Sequence, residues 1–167
     1  PQLPAWLSDP GLPGLTEVMP LVRQRCHWVV MADIVRLVAL YNLGGLYLDV
    51  DCHIDPSLPW RLGGDITLFT EKWVPVADLG PRECKSPCRT HRIANFAIFA
   101  RAPRSPFIRS CIIEAARRVK QILVEEGQAR IDEHADILWA SGPDVVTSVY
   151  HDRAQPGAEQ YGTIQTI

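Results

Sequence analysis

Hydrophobic and polar positions change period twice within the first third of this 167-residue chain. Apolar side chains at Val30, Ile34, Leu37, Val38 and Tyr41 recur every three or four residues, the spacing of one helix face. Asp33 and Arg36, three residues apart, share a face of that helix. Gly44-Gly45 then stops it, because glycine takes the left-handed cap conformation at little steric cost. Beyond the glycines the period falls to two. Leu46, Leu48 and Val50 point to one side, and Tyr47, Asp49 and Asp51 to the other. This alternation predicts a strand running through Asp51, so that helix and strand together fill residues 28–51. Two carboxylates on one strand face, two residues apart, lie roughly 6–7 Å from each other along the strand. A divalent cation with oxygen ligands, or the hydroxyls of a ligand, would let both stay charged.

The remaining segments are read the same way. Pro1 to Pro20, rich in Pro, Gly and Leu, predicts an irregular arm. Trp6 would anchor that arm to the core or stack on a base or sugar. Leu21 to His27 leads into the helix, with Arg23 and Arg25 on a solvated face or reaching a phosphate. After Asp51, the Asp55-Pro56 and Leu58-Pro59 steps disfavour helix. Ile66 to Thr70, β-branched and aromatic, predicts a strand beside Gly63-Gly64. Residues 74–92, with their prolines and charges, predict an insertion loop at the active site or the acceptor. Ile93 to Ala100 predicts a second strand, with Asn95 near its start. Ser105-Pro106 opens the strongest helix, since serine caps well and proline suits the first helical position. Its buried stripe would be Ile108, Cys111, Ile112, Ala115, Val119 and Ile122, and Gly127 would stop it. A helix from Ile131 to Ala140 and a third one capped by Asp144 complete a single domain over residues 1–167.

Composition narrows the partners. A formal charge of −2, with no polybasic block, gives no footprint for nucleic acid. No apolar run reaches the length of a membrane span, and no signal peptide is visible. Five cysteines are an odd number, so at least one lacks a partner within the chain. Cys84 and Cys88 flank a Lys-Ser-Pro turn. A disulfide between them would favour the Golgi lumen or secretion, and reduced thiols the cytoplasm. No second Cys/His pair at zinc spacing accompanies them.

The combination Asp33-x-x-Arg36 … Gly44-Gly45-x-Tyr47-x-Asp49-x-Asp51 resembles the DXD-type glycosyltransferases, which include fungal Golgi mannosyltransferases, animal α-galactosyltransferases and the large clostridial glucosylating toxins. RIANFAIFARAPRSPFI resembles the family's Asn-bearing strand and following helix, and SGPDVVT resembles its Thr/Ser-Gly-Pro loop. The resemblance implies an α/β fold of GT-A type, a mixed, mainly parallel sheet flanked by helices on both faces. It implies a nucleotide-sugar donor (UDP- or GDP-linked), a glycan, lipid or protein acceptor, and Mn²⁺ or Mg²⁺ as cofactor. Asp33 and Arg36 would hold sugar hydroxyls and the phosphate side of the donor, and Tyr47 would line the donor pocket. Asn95, a further candidate of this binding set, either caps a backbone group or touches the acceptor. Asp49 and Asp51 would be the catalytic and metal-binding carboxylates, Asp49 toward ribose or sugar and Asp51 toward the metal on the diphosphate. The family's transfer retains anomeric configuration, with the donor phosphate accepting the acceptor's proton. Members carry nucleotide-binding strands ahead of the helix that have no counterpart here, so the chain is expected to be a fragment or a compact relative.

Other readings set the contrast. Asp49 and Asp51 could end a strand in water, and Asp33 with Arg36 could be a surface ion pair worth a few tenths of a kcal/mol. His53 beside the carboxylates reads as a solvent-facing loop residue or a ligand, and Glu71 and Asp78 as side chains near the acceptor. A non-catalytic sugar- or nucleotide-binding module fits the missing upstream strands. LYLDVDCHI also resembles the first motif of haloacid-dehalogenase phosphatases, whose chemistry needs a suitably placed Lys and a later acidic pair.

Overall fold

The computed structural model describes residues 11–53, 62–79, 82, 90–153 and 163–165. Helix α1 spans Leu15–Arg25, and its buried residues Leu15, Val18, Met19 and Val22 form one stripe. The expectation of an irregular arm through Pro20 is corrected here. Pro20 lies inside α1 on its exposed side, so its missing hydrogen bond faces water rather than the core. Trp6 lies outside the described residues, as do the Asp55-Pro56 and Leu58-Pro59 steps and Cys84 and Cys88. Among the described residues Cys26 and Cys52 are free thiols.

Helix α2 covers Trp28–Leu43 and buries the five apolar residues that its spacing singles out. Gly44 and Gly45 follow at φ of +65° and +88°. A Cβ on Gly44 would lie 2.9 Å from the backbone carbon of Ala102, so this turn needs glycine for space as well as for φ. Strand β1 then runs only over Gly45–Leu48. It pairs antiparallel with β3 (His91–Ala100), from Gly45 opposite Ala100 to Leu48 opposite Ala97. Strand β2, Ile66–Trp73, pairs antiparallel with the other edge of β3 and parallel with β4, Thr163–Gln165. The sheet order is β1-β3-β2-β4. It is mixed and flanked by helices, as expected. The expected parallel majority is not found among the described strands, where β2–β4 is the single parallel pairing.

Strand β3 carries a large bulge. While β2 passes from Leu68 to Thr70, the opposing residue on β3 moves from Ile98 to Ile93. The extra residues, Asn95 and Phe96 among them, leave the ladder there, which bends a strand and re-aims its side chains.

Helix α3, Pro106–Lys120, is capped by Ser105, whose Oγ accepts from the N–H of Ile108 at 3.4 Å. A π-helical turn at Gln121–Glu125 extends it, and Gly127 at φ +69° ends the run. Helices α4 (His134–Ala140) and α5 (Pro143–Arg153) meet at a tight turn. Asp144 lies inside the first turn of α5 and not at its cap, and its carboxylate is paired with buried Arg92 at 2.7 Å. Apolar faces of all five helices join Ile66, Leu68, Ile93, Ile98 and Ala100 in one core, and Phe69, Ala94 and Ala97 form a second small cluster with Leu48 and Phe96. Among the described residues no helix is long and apolar enough to cross a membrane.

Candidate functional site

Arg36 is the hub of the site. It is only 8 % exposed, and it lies between two carboxylates from different elements. One nitrogen is 2.9 Å from Asp33 Oδ1, a helical turn before it on α2. The other is 2.9 Å from Asp49 Oδ1, just past β1, and also donates to the backbone carbonyl of Asn95 at 3.0 Å. Its guanidinium carbon stands 4.9 Å from the centre of the Tyr47 ring, close enough for cation–π attraction. Among the described residues the buried Nε proton has no partner. Burial of both Asp33, at 3 %, and Arg36 rules out a solvated surface pair.

The β3 bulge and the Ser-Gly-Pro turn complete the arrangement. Asn95 Nδ2 donates to Asp33 Oδ1 at 3.1 Å. Ser141 Oγ donates to Asp33 Oδ2 at 2.9 Å. Ser141 is held there by Gly142, where any Cβ would lie 2.9 Å from the Leu138 backbone. A carboxylate has about four acceptor positions, so Asp33 is nearly saturated from inside the protein. Burial still pushes its carboxyl above the usual range, against the lowering effects of Arg36, Ser141 and Asn95. Tyr47 donates its hydroxyl proton to Asp49 Oδ1 at 2.6 Å. Burial first, and that hydrogen bond second, push the phenol up to about 12, so it remains a donor at neutral pH.

Asp49 is anchored through its backbone too, its N–H donating to the Phe96 carbonyl at 2.9 Å. After that bond the chain turns, with Cys52 N–H donating back to the Asp49 carbonyl at 3.0 Å. The expected strand therefore stops before the carboxylates, and Val50 and Asp51 lie exposed in the turn. The structure brings Asp33, Arg36, Tyr47, Asp49 and Asn95 together and leaves Asp51 exposed in the turn two residues past Asp49. His53 and Asp78 are exposed, and Glu71 sits 3.8 Å from Lys72 on the far end of β2. Among the described residues no three His, Cys, Asp or Glu side chains gather as a metal cluster. The donor set still suits Mg²⁺ or Mn²⁺ on a diphosphate. Such ions take oxygen ligands, and Mg²⁺ keeps several waters and binds through one or two carboxylates plus substrate phosphates.

A cleft of about 470 Å³ opens over this cluster, lined by Asp33, Arg36, Asp49 and Asn95 and, across from them, by His27, Asp132, His134 and the Gly142-Pro143 turn. Ser141, His27, Asp132 and His134 are the residues that sequence reasoning missed. The Ser-Gly-Pro motif was the available signal for the first, and no pattern marked the others.

Residues 15–72 match the family described as the glycosyltransferase sugar-binding region containing a DXD motif. That span holds Asp33, Arg36, Tyr47, Asp49 and Asp51, while Asn95 and Ser141 lie beyond it. Among solved structures, the PaToxG glycosyltransferase is similar with a TM-score of 0.51 and 18% identity, over 87% of this chain and 41% of that one. The chain therefore spans about two fifths of that protein's length. No curated protein matches the chain significantly. The chain thus carries, over residues 15–72, a match to a DXD-type glycosyltransferase sugar-binding region, in a mixed α/β fold similar to that of the PaToxG glycosyltransferase.

Proposed function

We propose that this chain is the donor-binding part of a metal-dependent glycosyltransferase, moving a hexose from a UDP- or GDP-linked donor to a glycan, lipid or protein acceptor with retention. The observation that carries this reading is Arg36 held between Asp33 and Asp49 at 2.9 Å each, beneath an open cleft within the DXD-matched span. Arg36 orients both carboxylates. Asp33 is engaged on both oxygens from inside the protein, while the bonds to Asp49 fall on Oδ1, so sugar or ribose hydroxyls can donate to its Oδ2. Tyr47 fixes which oxygen of Asp49 faces inward. Asp51, exposed one turn further on, and the outer oxygen of Asp49 would hold Mn²⁺ or Mg²⁺, which when bound would offset the charge that builds on a departing nucleoside diphosphate. No side chain is assigned as the base, since the donor's own phosphate oxygen can take the acceptor's proton. The DXD match and the transferase-like fold favour this reading over a phosphatase.

The test is a panel of nucleotide sugars with Mn²⁺, scored by nucleotide release and by the configuration of any product. Asp51→Asn keeps the side chain's shape and removes its charge. Turnover should fall by orders of magnitude in that variant, with the melting temperature unchanged because Asp51 is exposed. Equal turnover and Mn²⁺ affinity in both proteins would refute the metal role, and an inverted product would refute retention.

A further inference from the structure

We infer that His27, with Asp132 beside it, forms a carbohydrate-hydroxyl subsite at the far end of the cleft, reading the sugar rather than the phosphates of the donor. The inference rests on the transferase reading and deepens it. His27 is the residue immediately before α2, and its Nδ1 accepts from the N–H of Val29 at 3.3 Å. A neutral imidazole whose Nδ1 accepts must carry its proton on Nε2. The cap therefore fixes the tautomer and leaves Nε2–H as a donor on a residue that lines the cleft. The backbone is equally fixed. His27 N–H donates to the Ile131 carbonyl at 2.8 Å, and Cys26 and Ile131 form a parallel bridge. That bridge sets Asp132, another residue of the cleft wall, alongside His27. Among the described residues Asp132 has only a 3.9 Å approach from exposed Arg130, so its carboxylate can accept from a ligand.

Position and charge select the ligand. Six residues of helix separate His27 from Asp33, about 9 Å along the axis, so the two mark opposite ends of one binding surface. The cleft wall holds three carboxylates, Asp33, Asp49 and Asp132, and the one guanidinium, Arg36, is shared between the first two. A second phosphate at this end would meet the Asp132 carboxylate and no lining guanidinium, since Arg36 is at the other end. A hydroxyl, which donates and accepts at once, fits a fixed N–H beside a carboxylate.

The experiment compares the affinity of bare UDP and GDP with that of their hexose conjugates, all with Mn²⁺, by calorimetry on the wild type and His27→Ser. Serine also caps helices well, so the substitution removes the Nε2 donor and keeps α2 started. The expected result is that the conjugate's advantage over the bare nucleotide falls about three- to tenfold, the worth of one hydrogen bond, while bare-nucleotide affinity and melting temperature hold. An unchanged advantage in a stable His27→Ser protein overturns the subsite. So does a wild type that binds nucleotides with no advantage for the conjugates, and in that case the donor-site reading survives. A wild type that binds no nucleotide at all refutes the transferase reading and the subsite together.

Discussion

Arg36→Lys isolates what the planar guanidinium does, because it keeps the charge and removes the fork. Arg36 spans Asp33 on one nitrogen and Asp49 with the Asn95 carbonyl on the other. A single ammonium cannot occupy both positions. Losing one charge-assisted hydrogen bond costs about 1.5–3 kcal/mol. Losing the stack on Tyr47 adds about 0.5–1 kcal/mol. The sum centres on about 3 kcal/mol, which for a chain of this size lowers Tm by roughly 6–12 °C. Arg36→Met should cost more, because it strands the Asp33 charge where only 3 % of the side chain meets solvent; breaking a buried pair in this way costs about 3–5 kcal/mol. The assay is thermal and urea denaturation of Arg36→Lys, Arg36→Met, Asp33→Asn and the Met/Asn double variant. The double variant should be more stable than the sum of the singles implies, with a coupling above about 1 kcal/mol. A Lys variant that melts within about 1 °C of wild type, or a coupling below about 0.5 kcal/mol, would refute the buried-hub account.

Two further outcomes follow from the same geometry. Burial holds the Asp33 carboxyl above its ordinary 3.8, so in that range the folded chain keeps a proton that the unfolded chain has released. Stability from this group is therefore fullest below the unfolded pKa and is lost as pH rises toward the folded one. The Tm of Asp33→Asn minus that of wild type should climb as pH is raised from about 4 toward neutrality, and a flat difference would refute the assignment. Separately, Gly44→Ala should destabilise more than Gly45→Ala. Both carry positive φ, costing about 1–2 kcal/mol, but only Gly44 would press its Cβ on the Ala102 and Pro103 backbone, at 2.9 and 3.1 Å. Equal losses in chemical denaturation would refute the close-approach argument.

The features legible in the sequence are those that neighbours along the chain decide. The α2 stripe, the Gly44-Gly45 stop and the Ser105-Pro106 start each rest on a few adjacent residues, and each is in place. Helix α1 was hidden because Pro20 breaks the propensity signal while lying on the face where it does least harm. The β1 alternation carried on in sequence past the point where the strand ends: ladder pairing stops at Leu48 opposite Ala97, and after one more bond, from Asp49 N–H to the Phe96 carbonyl in the β3 bulge, the chain turns. That bulge has no local signature in RIANFAIFA, since it exists only in the register between β3 and β2.

The same distinction separates the candidate site from its support. Spacing alone could not tell an exposed i,i+3 pair from a buried one, because the groups that bury Arg36 and satisfy Asp33 arrive from Asn95 and Ser141, far along the chain. Once they are in place, the two aspartates of the DXD no longer have equivalent environments. Asp49 has its backbone tied to Phe96 and its Oδ1 held by both Arg36 and Tyr47. Tyr47, pushed up to about 12, does not release that hold at neutral pH. Asp51 stands exposed in the turn that follows. In the function proposed, the fixed Asp49 would position hydroxyls and lend its free oxygen to the ion. The exposed Asp51 would take the ion as it arrives with the substrate and release it with the product. The early end of β1 is what creates this division: a strand continuing through Asp51 would have given both aspartates the same face and the same environment.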